Sequence, residues 1–66
     1  MTIIINGETK ELKANSTIET LLKELNLEGK VMAAAVNMDI VKQDSWNRHK
    51  LEDGDKLELL DFVGGG

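Results

Sequence analysis

The sequence has no cysteine and a single histidine, so neither a disulfide nor a set of tetrahedral zinc ligands can brace the fold. One small apolar core must do so, in a 66-residue chain of a size that buries only about 60% of its unfolded surface. Tyrosine is absent too. His49 is therefore left without a Cys or Tyr nucleophile to activate, and it reads as a surface or turn residue. Positive charge is scarce: eight basic against twelve acidic residues give a net charge of -4, which opposes binding to nucleic acid or to an anionic membrane surface. No apolar run approaches the roughly 20 residues that span a bilayer, and the first residues lack the basic region and apolar stretch of a signal peptide. The expected location is the cytoplasm.

What the chain does contain is ordered punctuation. Thr2 to Asn6 is a β-branched run, followed by Asn6-Gly7 and then Glu8 to Lys13; Asn-Gly between two such segments is a strong hairpin signal. Ser16-Thr17-Ile18-Glu19 has the spacing of a capping box, with the Ser16 hydroxyl and the Glu19 carboxylate each satisfying a backbone N–H at a helix start. Ile18, Leu21, Leu22 and Leu25 then fall at i, i+3, i+4 and i+7, which gives the helix one apolar face. Asn26 and Gly29 mark its end. Met32 to Asn37 reads as a small-residued strand, and the Asn37-Met38-Asp39 turn leads to the β-branched pair Ile40-Val41. Asp44 to Lys50 is polar and irregular, with room for one helical turn. Asp53-Gly54 is a further turn signal before a last strand from Lys56 to Val63.

Strand, strand, helix, strand, short strand, strand is the order of an α+β, ubiquitin-like β-grasp fold: a mixed sheet of four to five strands with one helix across one face. The domain is expected over residues 1–63, with residues 64–66 a flexible glycine tail. The last strand should lie beside the first, so that the tail leaves from the centre of the sheet.

Alternation along that last strand carries functional information. Leu57, Leu59 and Val63 share one face with Asp61, while Lys56, Glu58, Leu60 and Phe62 share the other. Lys56 and Glu58 mark the second face as facing water. Leu60 and Phe62, joined by Ile4 of the first strand, are then apolar side chains where water is expected, and they form a candidate docking face. Next to it, Gly64, Gly65 and Gly66 form an arm without side chains that ends in a carboxylate and can enter a narrow channel. A carboxylate is a poor acyl donor until activated, and the chain has no phosphate-binding loop to hold ATP itself.

Together these residues resemble the sulfur carriers of thiamine biosynthesis, the ThiS family. The likeness covers the whole chain. It rests on Ile3-Ile4-Ile5-Asn6, on Ser16-Thr17-Ile18 leading into a leucine-rich helix, and on Ala35-Val36-Asn37 followed by Ile40-Val41. Trp46 ahead of His49, Asp53-Gly54-Asp55 and the closing Gly65-Gly66 complete it. The resemblance implies that a ThiF-like adenylating enzyme, using ATP and magnesium, converts the Gly66 carboxylate to an acyl adenylate. Sulfur from a cysteine desulfurase system then makes a thiocarboxylate, and a ThiG-like thiazole synthase receives that sulfur. The chain would bind no cofactor and act as a co-substrate, not as an enzyme, with Gly64 and Gly65 entering partner active sites. Gly64 departs from the pattern, since family members often carry a side chain there.

Two other readings stay open at this point. Small subunits of molybdopterin synthase, MoaD-like carriers, share fold and tail but are usually longer. A non-covalent β-grasp binding module would use Ile4, Leu60 and Phe62 while the glycines are incidental. Trp46 suits either a partner anchor or the edge of the core, the latter being favoured in so small a domain. Asp53-Gly54-Asp55 lacks the remaining ligands of a calcium loop and reads as a turn. Glu52, Asp53, Asp55, Glu58 and Asp61 read as a solvated acidic surface that could also face basic partners.

Overall fold

A computed structural model describes residues 1–61. Five strands and one α-helix run in the order β1 (Thr2–Ile5), β2 (Glu8–Glu11), α1 (Ile18–Glu24), β3 (Val31–Val36), β4 (Asp39–Val41) and β5 (Lys56–Asp61), with a 3₁₀ turn at Gln43–Ser45 before β5. The strands form one sheet in the order β2-β1-β5-β3-β4. β5 lies parallel to β1, with Ile4 opposite Lys56 and Ile5 opposite Leu57, and antiparallel to β3. The last strand is thus central and beside the first.

Both tight hairpins are built alike. Two residues separate Ile5 from its partner Glu8, and two separate Val36 from Asp39. In each pair both central residues take positive φ, 48° and 85° at Asn6 and Gly7, 50° and 74° at Asn37 and Met38. That is the signature of a type I′ turn, whose twist suits a right-handed strand pair.

The helix starts one residue later than the capping-box reading placed it. Thr17, not Ser16, is the N-cap: its hydroxyl accepts from Thr20 N, and the Thr20 hydroxyl accepts from Thr17 N at 2.9 Å. Ser16 is buried and donates its hydroxyl to the Lys13 carbonyl at 2.7 Å instead, which removes it from the cap and leaves Glu19 outside the box. Strand limits also shift slightly, with β2 ending at Glu11 and β3 beginning at Val31.

Period and alternation both point inward. Ile18, Leu21 and Leu22 of α1 are buried against Ile3 and Ile5 of β1, Val31, Ala34 and Val36 of β3, and Leu57 and Leu59 of β5, while Leu25 packs at the margin. Leu12, Trp46 and Leu51 close the edges of this single core. The opposite face of the sheet has no helix among the described residues.

Candidate functional site

The expected alternation in β5 holds as far as the described residues reach. Leu57 and Leu59 are buried, and Lys56, Glu58 and Leu60 face outward, Leu60 with 53% of its surface exposed. Phe62, Val63, Gly64, Gly65 and Gly66 lie outside the described residues.

Strand register decides what surrounds Leu60. It sits opposite Ala33 of β3, and Glu58 sits opposite Ala35, which in turn pairs with Ile40 of β4. Residues opposite one another in a ladder point to the same face. Leu60, Ala33, Ala35 and Ile40 therefore line one outward depression of about 240 Å³, with Asn6 and Glu58 at its rim. Ile40 is 70% exposed there. Alanines at positions 33 and 35 leave the floor low, so the larger Leu60 and Ile40 stand as its walls.

Ile4 shares this face but not this depression. Its partner is Lys56, four residues before Leu60, or about 13 Å away along the strand. Half-buried, it lines a second hollow of about 390 Å³ with Gly7, Met38, Lys56, Leu57 and Glu58. The single face expected from Ile4 and Leu60 is thus two apolar hollows with Glu58 bordering both. Alternation alone could not identify Ile40 as the neighbour of Leu60, because that pairing depends on the registers of β3 with both β4 and β5.

Among the described residues, the end of β5 is held from the β1 side by one side chain. Beyond Ile5, β1 turns away at Asn6, whose backbone N–H donates to the Leu57 carbonyl at 2.9 Å. The Asn6 side-chain oxygen then accepts from Leu59 N at 2.8 Å, and its Nδ2 donates to the Leu59 carbonyl at 3.3 Å. On the other side Ala33 and Val31 of β3 pair with Leu60 and Asp61, across an irregularity between Val31 and Ala33.

The remaining candidates fall into structural roles. Trp46 is buried in the core cluster, and its indole N–H donates to the Val41 carbonyl at 2.8 Å, fixing the crossing after β4. Asp53 accepts from Thr2 N at 2.6 Å, and the two Asp55 oxygens accept from Glu52 N and the Asn37 amide at 2.8 and 3.0 Å. These carboxylates bind a turn in which Gly54 has φ +89°, a conformation that a side chain would strain. His49 is half-buried; its carbonyl accepts from Ile18 N, and it borders a polar cleft with Asp39, Lys50, Glu52 and Asp55. Among the described residues no group of three or more His, Asp or Glu side chains could hold a metal, and no helix is long and apolar enough to cross a membrane.

A mixed five-stranded sheet with its last strand central and one helix across a single face defines a ubiquitin-like β-grasp protein. The crystal structure of the thiamine biosynthesis protein ThiS from Geobacter metallireducens has the same fold, with a TM-score of 0.78 and 24% identity over the whole of both chains. The ThiS family model matches residues 3–66, and this chain belongs to the ThiS family. It is 32% identical to the sulfur carrier protein ThiS of Escherichia coli K12 over the full length of both, and 35% identical to that of Bacillus subtilis 168 over 63 residues, 94% of this chain and 96% of that one. It is also 41% identical, over all 66 residues, to part of a thiazole synthase from Paramagnetospirillum magneticum, of which it spans 20% of the length.

Proposed function

We propose that this chain is a sulfur carrier whose reactive group is the Gly66 carboxylate and whose sulfur serves thiazole formation in thiamine biosynthesis. The observation that carries this reading is the family match, which runs through the terminal glycines to residue 66 and accompanies full-length similarity to a sulfur carrier. The fold supports it, because a tail continuing from a central strand has a root fixed on both sides.

The chemistry follows from the weakness of a carboxylate as an acyl donor. An adenylating partner of the ThiF type joins the Gly66 carboxylate to the α-phosphate of ATP and releases pyrophosphate, with magnesium offsetting the phosphate charge. The outer sulfur of a persulfide from a cysteine desulfurase system displaces AMP at the acyl carbon to give an acyl disulfide. A thiol then attacks its S–S bond, forming a new disulfide and leaving the thiocarboxylate. A thiazole synthase of the ThiG type accepts that sulfur and returns the carboxylate. This chain supplies the acyl carbon, a Gly64-Gly65 arm without Cβ atoms, and the outward apolar face at Leu60 and Ile4, with Phe62 beyond, on which a partner docks. Similarity to part of a thiazole synthase supports a partner of that class.

Incubation with ATP, the adenylating partner and a sulfur source, read by intact-mass spectrometry, tests the proposal. The expected product is heavier by the difference between sulfur and oxygen and yields an unmodified mass again on transfer. An unchanged mass with a partner that is active on another carrier would refute the carrier role and favour a purely non-covalent binding module.

A further inference from the structure

We infer that Asn6 is a positioning residue: its side-chain amide stands in for the residue that β1 lacks and holds the root of the C-terminal arm in ladder geometry. The inference rests on the carrier reading for its consequence but on geometry for its substance.

β1 pairs with β5 through Ile4 and Ile5, opposite Lys56 and Leu57, and the last backbone bond on this side runs from Asn6 N–H to the Leu57 carbonyl at 2.9 Å. Leu59 points its N–H and C=O to the same side as Leu57, towards β1, yet the β1 backbone has already turned away at Asn6, where φ is 48°. The Asn6 amide supplies the two missing bonds, accepting from Leu59 N at 2.8 Å and donating to Leu59 O at 3.3 Å. An amide side chain can do this because it carries one acceptor and one donor on a planar group, as a peptide does. Leu59 lies two residues before the last described residue of β5, and this clamp is the last contact from the β1 side among the described residues. Without it, β3 alone holds β5 beyond Leu57 among the described residues, and there the pairing is already irregular between Val31 and Ala33.

An Asn before Gly is also simply a good type I′ turn residue, and the two roles separate by substitution. Asn6→Gly tolerates the positive φ and keeps the turn while removing the clamp. Asn6→Asp also tolerates the turn and keeps an acceptor for Leu59 N, but sets a carboxylate oxygen against the Leu59 carbonyl.

Native-state amide exchange and adenylation kinetics, measured on the full chain, test the inference. In Asn6→Gly the Leu59 amide should exchange about three- to tenfold faster relative to the other slow amides, and in Asn6→Asp it should stay near wild type. With the docking face intact, pyrophosphate release by a ThiF-type partner should lose about three- to tenfold in kcat in Asn6→Gly, with KM within about twofold and partial rescue in Asn6→Asp. Uniform acceleration of all slow amides, or an unchanged Leu59, would overturn the clamp. Faster Leu59 exchange with unchanged kcat would overturn its role in positioning the arm. A wild-type chain that is never adenylated would instead sink the carrier reading and the kinetic consequence with it, while the exchange measurement still decides whether Asn6 holds Leu59.

Discussion

Replacing Met38 with glycine should make the domain more stable. The two hairpins share one loop geometry, but the second central position is Gly7 in one and Met38 in the other, with φ of 85° and 74°. A residue with a Cβ in the left-handed region costs about 1 to 2 kcal/mol, and glycine relieves that cost. Against this, glycine loses about 0.5 to 1 kcal/mol more in backbone entropy on folding. Met38 is 89% exposed, so the burial forfeited is small, roughly 20 Å² or ~0.5 kcal/mol at ~25 cal/mol/Å². At the midpoints of these ranges the balance favours glycine by about 0.25 kcal/mol, and at their favourable end by about 1 kcal/mol, which for a domain of this size raises Tm by about 1 to 2 °C and by about 4 to 8 °C respectively. Thermal unfolding followed by far-UV circular dichroism, with urea midpoints at constant m, measures it. A Tm lowered by several degrees would refute the reasoning, and would mean that the Met38 side chain packs in the folded state far more than its exposure indicates. Since Met38 borders the hollow that contains Ile4, a stabilised Met38→Gly chain that binds its adenylating partner more weakly would trace the retained strain to docking.

Thr17→Ala should cost about 1 kcal/mol by removing the N-cap acceptor, whereas Glu19→Ala should stay within about 0.5 kcal/mol, as chemical denaturation will show. Trp46→Phe should cost about 1 to 3 kcal/mol through loss of the 2.8 Å bond to the Val41 carbonyl and of buried contact, measured in the same way. Leu60→Ala should weaken binding to the adenylating partner by about 1 to 3 kcal/mol, seen as a raised KM or by calorimetry, with the fold unchanged because Leu60 is outside the core. One residue added after Gly66 should abolish thiocarboxylate formation in the mass assay while leaving partner affinity in place.

Much of the architecture was legible because its signals are local. Asn6-Gly7 announces a hairpin, Ile18, Leu21 and Leu22 announce a buried helical face, and alternation from Lys56 to Leu60 separates inside from outside. The displaced helix cap shows where local signals compete: Ser16 with Glu19 and Thr17 with Thr20 both fit the spacing, and burial of Ser16 over Lys13 decided between them. Site geometry was less legible because it is set by pairing between distant segments. That Leu60 neighbours Ile40, and that Ile4 stands apart, follows from registers linking β5 to β3 and β1. Asn6 was hidden differently. Its obvious role in the turn accounts for the residue type, so nothing in the sequence signals a second bond partner 53 positions away.

The central place of β5 also governs the order in which the domain can form. Among the described residues, β1 with β2 and β3 with β4 are two hairpins that share no ladder, and β5 is the only strand touching both. Until residues 56–61 have been synthesised and can leave the ribosome, α1 has only part of its core to cover, because Leu57 and Leu59 are missing. The parallel pairing of Ile4 with Lys56 also closes a long loop, the kind of contact that forms late and slowly. A nascent chain that stalls before β5 therefore offers neither a finished sheet nor an arm. Completion of the sheet waits for β5, so a chain cut before Lys56 lacks the strand that joins its two hairpins.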